Sequence, residues 1–204
     1  MRTFILRVRK GPTTPGFSLD DLPGAGHLEI VCHCVANALF VSKQIRPETA
    51  IHIVLEGGGA APKTVTFSSE TLGSLGGWDE RTIAGALHEA LQAGRHLQLD
   101  EETVSPSGVG VAKRSFEALV KRMATESALF YLNKKGDDIR VAALDPAHNP
   151  NVTFVFTDHM AMPKKSAKHL TRLGASPISV GPRTLFASQV IVLAHNELDR
   201  LSFP

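Results

Sequence analysis

Ile178-Ser179-Val180-Gly181-Pro182-Arg183-Thr184-Leu185, followed by Phe186-Ala187-Ser188-Gln189, leads into a run that closes on His195-Asn196-Glu197-Leu198-Asp199-Arg200. Ile178 to Val180 reads as a short strand stopped by Gly181-Pro182, and Val190 to Ala194 as the start of a helix apolar on every side. A helix with no polar face must be wrapped by other elements. A strand that stops at Gly-Pro leaves main-chain amides and carbonyls free, and glycine lets a flat ligand come close to them. The loop is either a cradle for a ring such as adenine or an ordinary connection into a helix.

Moving towards the amino terminus, Pro163 and Gly174 bracket a helix, in its first turn and just past its end. Val152 to Phe156 is a nearly continuous apolar run, the mark of a strand covered on both faces. Leu129 to Leu132 reads as another strand, and Ser115 opens a helix with Phe116, Leu119, Val120 and Met123 inward. Strands alternating with helices predict a mostly parallel sheet with helices on both faces.

The first half is read in the same way. Thr3 to Arg9 alternates like a half-buried strand, with Arg7, Arg9 and Lys10 marking a wet side. A loop with Gly11-Pro12 and Pro15-Gly16 runs to Asp20-Asp21-Leu22-Pro23-Gly24, and one long buried helix is expected from Leu28 to Lys43. Ala50 to Leu55 and Lys63 to Phe67 are neighbouring strands about a turn at Gly57-Gly58-Gly59. Asp79 caps a helix with Ile83, Leu87 and Leu91 inward and Gly94 at its end, and a polar loop covers residues 95–107.

With 204 residues, 43% of them hydrophobic, the chain can bury a sizeable core as one domain, 1–204. Its 22 basic and 20 acidic residues exclude a generic nucleic-acid coat protein, so any contact with a polyanion is local. The basic excess falls after residue 100, where 13 basic residues face 10 acidic ones. No apolar stretch approaches the roughly 18–20 residues of a membrane span, and Met1-Arg2-Thr3-Phe4 does not begin a signal peptide. Cys32 and Cys34 are too close to staple distant segments, which fits a reducing cytoplasm.

Three motifs have a chemical reading beside a structural one. Cys32-His33-Cys34 offers zinc ligands, but helical residues two apart point about 200° away from each other, so the cysteines read as core. Asp158-His159 is either an acid/base pair at the carboxyl end of a parallel strand or a turn cap. Lys164, Lys168 and Arg172 form one ridge on a helix, which either follows a phosphate backbone or is a solvated face. No G-x-G-x-x-G follows a strand and no P-loop signature occurs, which removes the main support for dinucleotide or P-loop nucleotide binding.

Asp21-Leu22-Pro23-Gly24, Ile45-Arg46, Asp79-Glu80-Arg81, the strand entering Leu132, Asp158-His159 and above all the block from Ile178 to Arg200 carry a resemblance over nearly the whole chain. The sequence resembles the SPOUT-class tRNA (pseudouridine-N1)-methyltransferase family, TrmY type. That resemblance implies a SPOUT-type α/β fold, a mostly parallel sheet flanked by helices, with a trefoil knot over about residues 127–204. It also implies a homodimer with active sites at the subunit interface, S-adenosyl-L-methionine as methyl donor and structured RNA, in the family tRNA, as acceptor.

Family contacts to the donor carry over to Leu132, Thr157, Val180, Gly181, Pro182, Arg183, Thr184, Leu185 and Val190, most of them through the main chain. Matching positions in the first half suggest Arg46 as a cation stabilising charge on the acceptor base and Asp21 as proton acceptor or orienting group. With RNA as partner, the ridge of Lys164, Lys168 and Arg172 becomes a candidate RNA contact. Against the archaeal pattern, His27 and Glu29 stand in place of Arg and Asp, His33 in place of Arg, Thr157 in place of Gly and Val190 in place of Cys, which is closer to a bacterial branch. Two rival readings share the fold: an RNA-binding protein without catalysis, and a methyltransferase acting on another base or a ribose hydroxyl.

Overall fold

The computed structural model describes residues 1–42, 44–142, 144 and 150–202. Eight strands form one sheet in the order β10-β8-β9-β1-β4-β5-β7-β6. Five are parallel: β1 (Arg2–Pro12), β4 (Thr49–Gly57), β8 (Ala128–Asp138), β9 (Val152–Thr157) and β10 (Ser176–Ser179). Beyond β4 the sheet continues antiparallel through β5 (Lys63–Ser68), β7 (Gly110–Ala112) and β6 (Glu102–Val104).

Helices cover both faces. On one side, α1 (Leu28–Leu39), α2 (Glu80–Ala93) and α5 (Ala187–Ser202) pack over Phe4, Leu6, Ile51, Ile53 and Phe154. On the other, α3 (Phe116–Glu126) and α4 (Lys164–Arg172) cover Ile5, Val54, Leu129 and Val155. Successive residues of β1 therefore feed two cores, as the two-residue period of a strand requires. Each such side chain removed from water contributes about 1.5–3 kcal/mol, which fixes the register of the central strands.

Local signals set several boundaries. Asp79 caps α2 by accepting from the Thr82 amide at 3.0 Å, and Ser115 caps α3 by accepting from Ala118 at 3.2 Å. At the other end of α2, the buried Lys63 ammonium donates to the Gly94 carbonyl, where the negative end of the helix dipole favours a cation.

Other expectations need correction. β1 is not half-buried: Thr3 to Val8 are covered on both faces because β1 lies at the centre of the sheet. Arg7 is accordingly buried rather than on a wet side. Its guanidinium donates to both Glu56 oxygens at 2.9 and 3.0 Å and to Ser166 Oγ at 2.6 Å, over the Phe116 ring, which satisfies the charge inside the fold. Arg9 and Lys10 are exposed as expected.

The first helix stops at Leu39, because Phe40 turns extended and Phe40–Val41 (β2) pairs with Gln44–Ile45 (β3). Lys43, its expected end, lies outside the described residues. The polar stretch 95–107 contains the edge strand β6, whose polarity suits a sheet edge. Pro163 occupies the N-cap of α4 rather than its first turn. Finally, α5 is wrapped on one side only: Val190, Ile191, Ala194, His195 and Leu198 are buried, whereas Val192 is 48% exposed.

Candidate functional site

β8, β9 and β10 run parallel, so their carboxyl ends open on the same edge of the sheet, where ligands of open α/β sheets gather. β8 bulges there: Tyr131 pairs with Pro177 and the next partners are Asp137 and Ile178. The intervening residues, including Leu132, Asn133 and Lys134, bend into the wall of a cavity. Gly136 makes the bulge possible, because a Cβ there would lie 2.5 Å from the Ile178 nitrogen.

The cavity has a volume of about 360 Å³, within the roughly 300–1,000 Å³ usual for small-molecule sites. Leu132, Thr157, Val180, Gly181, Arg183, Thr184, Leu185 and Val190 line it, leaving Pro182 as the one expected donor contact outside the wall. Three strand ends and the start of α5 thus bring together residues up to 58 positions apart. Gly181, at φ 135°, turns the loop in a conformation that side-chain-bearing residues rarely adopt.

Among the described residues, the amides of Val180, Arg183, Thr184 and Leu185 have no backbone acceptor. Free main-chain donors beside the apolar side chains of Leu132, Val180, Leu185 and Val190 suit a flat heteroaromatic ring with polar edges. The residues present therefore fit the adenosyl group of S-adenosyl-L-methionine.

Asp158 and His159 follow β9 directly and line the same cavity. The Asp158 side chain is fully buried; Oδ1 accepts from the Met160 amide at 2.9 Å, while Oδ2 has no hydrogen-bond partner and lies 3.5 Å from His159 Nδ1. Beside them, the His27 ring meets the His159 ring edge-on at 4.4 Å. Sequence reading noticed His27 only as a departure from a pattern, and missed Asn133, Lys134, Met160 and Met162 in the wall. Lys134, two residues past Leu132, was the available signal.

The remaining candidates lie elsewhere. Asp21 is exposed on the same edge of the sheet in an adjoining glycine-rich depression with Lys10, Thr13, Gly26 and Gly57, its Oδ1 accepting from the Gly24 amide at 2.9 Å. Arg46 lies at the opposite edge, where its Nη1 donates to Asp199 Oδ1 at 2.9 Å and Arg2 donates to the same oxygen at 2.5 Å. Neither lines the donor cavity of its own chain. Lys164, Lys168 and Arg172 are exposed on α4 with no carboxylate within 4.0 Å among the described residues; the ridge starts two residues past Met162 of the cavity wall.

The Cys32-His33-Cys34 motif is divided as the helical period dictates. Both cysteines are buried, and burial, aided by the nearby Glu80, pushes the Cys32 thiol up to about 12, so it stays protonated at neutral pH. Cys34 is pushed up for the same first reason, burial. His33 points outward to Glu80 Oε1, 2.6 Å away.

Residues 1–203 match a family model described as "Putative SAM-dependent RNA methyltransferase". The chain belongs to this family. A Vibrio cholerae relative named "Putative pseudouridine methyltransferase" is 40% identical over 199 residues, which cover 98% of this chain and 97% of the relative. A Shewanella baltica relative of the same name is 38% identical over 199 residues, 98% of either chain. Among solved structures, Nep1 from Archaeoglobus fulgidus, crystallised bound to S-adenosylhomocysteine, superposes with a TM-score of 0.60 over 98% of this chain and 97% of its own. At 11% identity that likeness shows the fold alone, the α/β architecture of a mostly parallel sheet flanked by helices that the resemblance implied. Among the described residues, no helix of this family member is long and apolar enough to cross a membrane.

Proposed function

We propose that this chain, as one domain over 1–204, transfers the methyl group of S-adenosyl-L-methionine to N1 of a pseudouridine in structured RNA such as tRNA, acting in the cytoplasm as a homodimer. The observation that carries the reading is the cavity at the carboxyl ends of β8, β9 and β10, whose free amides and apolar wall fit an adenosyl group. Relatives covering almost the same length bear the name pseudouridine methyltransferase, which supports that acceptor. The reading includes a knotted segment over about 127–204.

When bound, the donor supplies an electrophilic methyl group on a sulfonium. The protein must then hold the acceptor nitrogen in line with it, and much of the rate comes from that positioning. N1 of pseudouridine carries a proton, and negative charge gathers on its carbonyls as the proton leaves. Lys134 and Arg183, exposed at the cavity, are the cations that can stabilise this charge. Lys164, Lys168 and Arg172 extend the basic surface from the rim and suit an RNA backbone. A homodimer accounts for Phe186, just before α5, and Val192, in its first half, 74% and 48% exposed, which a second copy would cover. In that homodimer Arg46 and Asp21 serve the reaction by reaching the partner's cavity.

The test is to incubate purified protein with S-adenosyl-L-methionine and RNA carrying pseudouridine or, as control, uridine, then digest and weigh the nucleosides. The expected product is N1-methylpseudouridine. Methylated uridine or a 2′-O-methyl product would reassign the acceptor, and donor binding without any methylated nucleoside would leave only an RNA-binding role.

A further inference from the structure

Two carboxylates and two imidazoles stand in a row at the mouth of the donor cavity. Glu29 Oε1 lies 2.9 Å from His27 Nδ1, the His27 ring meets the His159 ring at 4.4 Å, and His159 Nδ1 lies 3.5 Å from Asp158 Oδ2. Glu29 Oε2, at one end of the row, and Asp158 Oδ2, facing His159, are both buried without a hydrogen-bond partner. Buried carboxylate oxygens are normally paired, and a catalytic role is one of the few reasons for leaving one unpaired. His27 adds a second sign, since it holds a left-handed backbone at φ 66° in front of α1 and makes no side-chain cap. Strain of that kind persists only where the surroundings over-determine it.

We propose that His159 is the group that takes the proton from the acceptor nitrogen, with Asp158 as its positioning residue and the His27–Glu29 pair as the route by which the proton leaves. This rests on the methyltransferase reading above. Asp158 Oδ2 faces Nδ1, so it favours the tautomer with the proton on Nδ1 and the lone pair on Nε2. In the reaction the N1–H bond breaks and its proton goes to Nε2 of His159. The electron pair left on N1 forms the new N–C bond as the S–C bond breaks, and that bonding pair returns to sulfur, leaving a neutral thioether.

The His159 side chain is 35% exposed and His27 46%, which gives the proton a way to water. The 3.5 Å separation is loose, as is common before a substrate tightens such a pair.

The groups bearing on His159 are Asp158 beside it, His27 and Glu29 from the start of α1, Lys134 from β8, Arg183 from the loop after β10, and the buried Cys34 behind Asp158. Asp158→Asn keeps an Oδ1 acceptor for the Met160 amide while removing the charge, so it isolates the electrostatic effect.

The experiment has two arms. Ring NMR titration of His159 in wild-type protein without donor or RNA should show a midpoint that falls in Asp158→Asn and, by less, in Glu29→Gln. In methylation assays, His159→Gln should lower kcat by about 10²–10⁴-fold, far more than it changes donor affinity, and Asp158→Asn should shift the acidic limb of the pH–rate profile to lower pH. A His159 midpoint that Asp158→Asn leaves in place, or His159→Gln with wild-type rate and acidic limb, overturns the proposal. Wild-type protein that shows the NMR shift but methylates no RNA overturns instead the enzymatic reading beneath it.

Discussion

The two edges of the parallel sheet use the same residue types to opposite ends. At the amino edge, Asp199 accepts from Arg2 and Arg46 on a single oxygen, and His195 has both ring nitrogens engaged, Nε2 with the Ala38 carbonyl at 3.0 Å and Nδ1 with Arg2 at 3.3 Å. At the carboxyl edge, Asp158 keeps one oxygen unpartnered and His159 stays partly open to a cavity. Paired charges stitch α5 to β1 and α1, whereas Asp158 and His159 face a cavity. An Asp and a His close in space thus mean structure or chemistry according to what else is within reach.

The sharpest way to separate the edges is pH. Burial, with the charges of Arg46 and Arg2 against it, holds the His195 imidazole down at about 3. In the unfolded chain a histidine protonates near 6.5, so between these values the unfolded state binds more protons and stability rises with pH. As pH falls from about 6.5 towards 4, His195 alone should cost the fold on the order of a few kcal/mol. For Asp199, burial raises the pKa but the hydrogen bonds from Arg2 and Arg46 outweigh it and hold the carboxyl below its usual range. Its contribution is therefore lost at still lower pH. Thermal melts across that range should show the loss in wild-type protein and a flatter dependence in His195→Gln.

Next in size, Leu185→Asp places a charge in the cavity wall and should weaken binding of S-adenosylhomocysteine by ~100-fold or more, read by calorimetry, with little change in melting temperature. Arg46→Ala should do the reverse. With its partner Asp199 34% exposed, the loss is about 1 kcal/mol, or ~2–4 °C in Tm, with donor affinity intact. Methyl transfer should also fall in Arg46→Ala, because this side chain reaches the partner's cavity; transfer at the wild-type rate would leave Arg46 only its structural pairing with Asp199. Smallest of all, Lys168→Ala should weaken RNA binding by ~2–5-fold and lower the salt dependence by about one counterion, while leaving both the melt and donor binding as they were.

What could be read from the sequence follows the same division. Val152 to Phe156 announced a strand buried on both faces, and Asp79 with Gly94 marked both ends of α2, because those signals are local. The block from Ile178 to Leu185 announced a strand stopped by a loop, and the cavity lies there. Arg7 was misread because a strand pattern does not reveal that Glu56, Ser166 and Phe116 converge on one guanidinium from three other elements. The helix expected to reach Lys43 ended early for a similar reason: Phe40–Val41 found a strand partner that helical periodicity cannot foresee. Arg46 and Asp158 lie more than a hundred positions apart, and only the sheet shows that they occupy opposite edges.

The central claim is that the donor lodges at the carboxyl edge, and backbone amide hydrogen exchange with and without S-adenosylhomocysteine tests it most directly. Slowed exchange confined to residues 132–134, 157–162 and 180–185, with the surroundings of Arg2, Arg46 and His195 unchanged, is the expected result. Protection centred on 195–200, or none at 180–185 under saturating ligand, would contradict it.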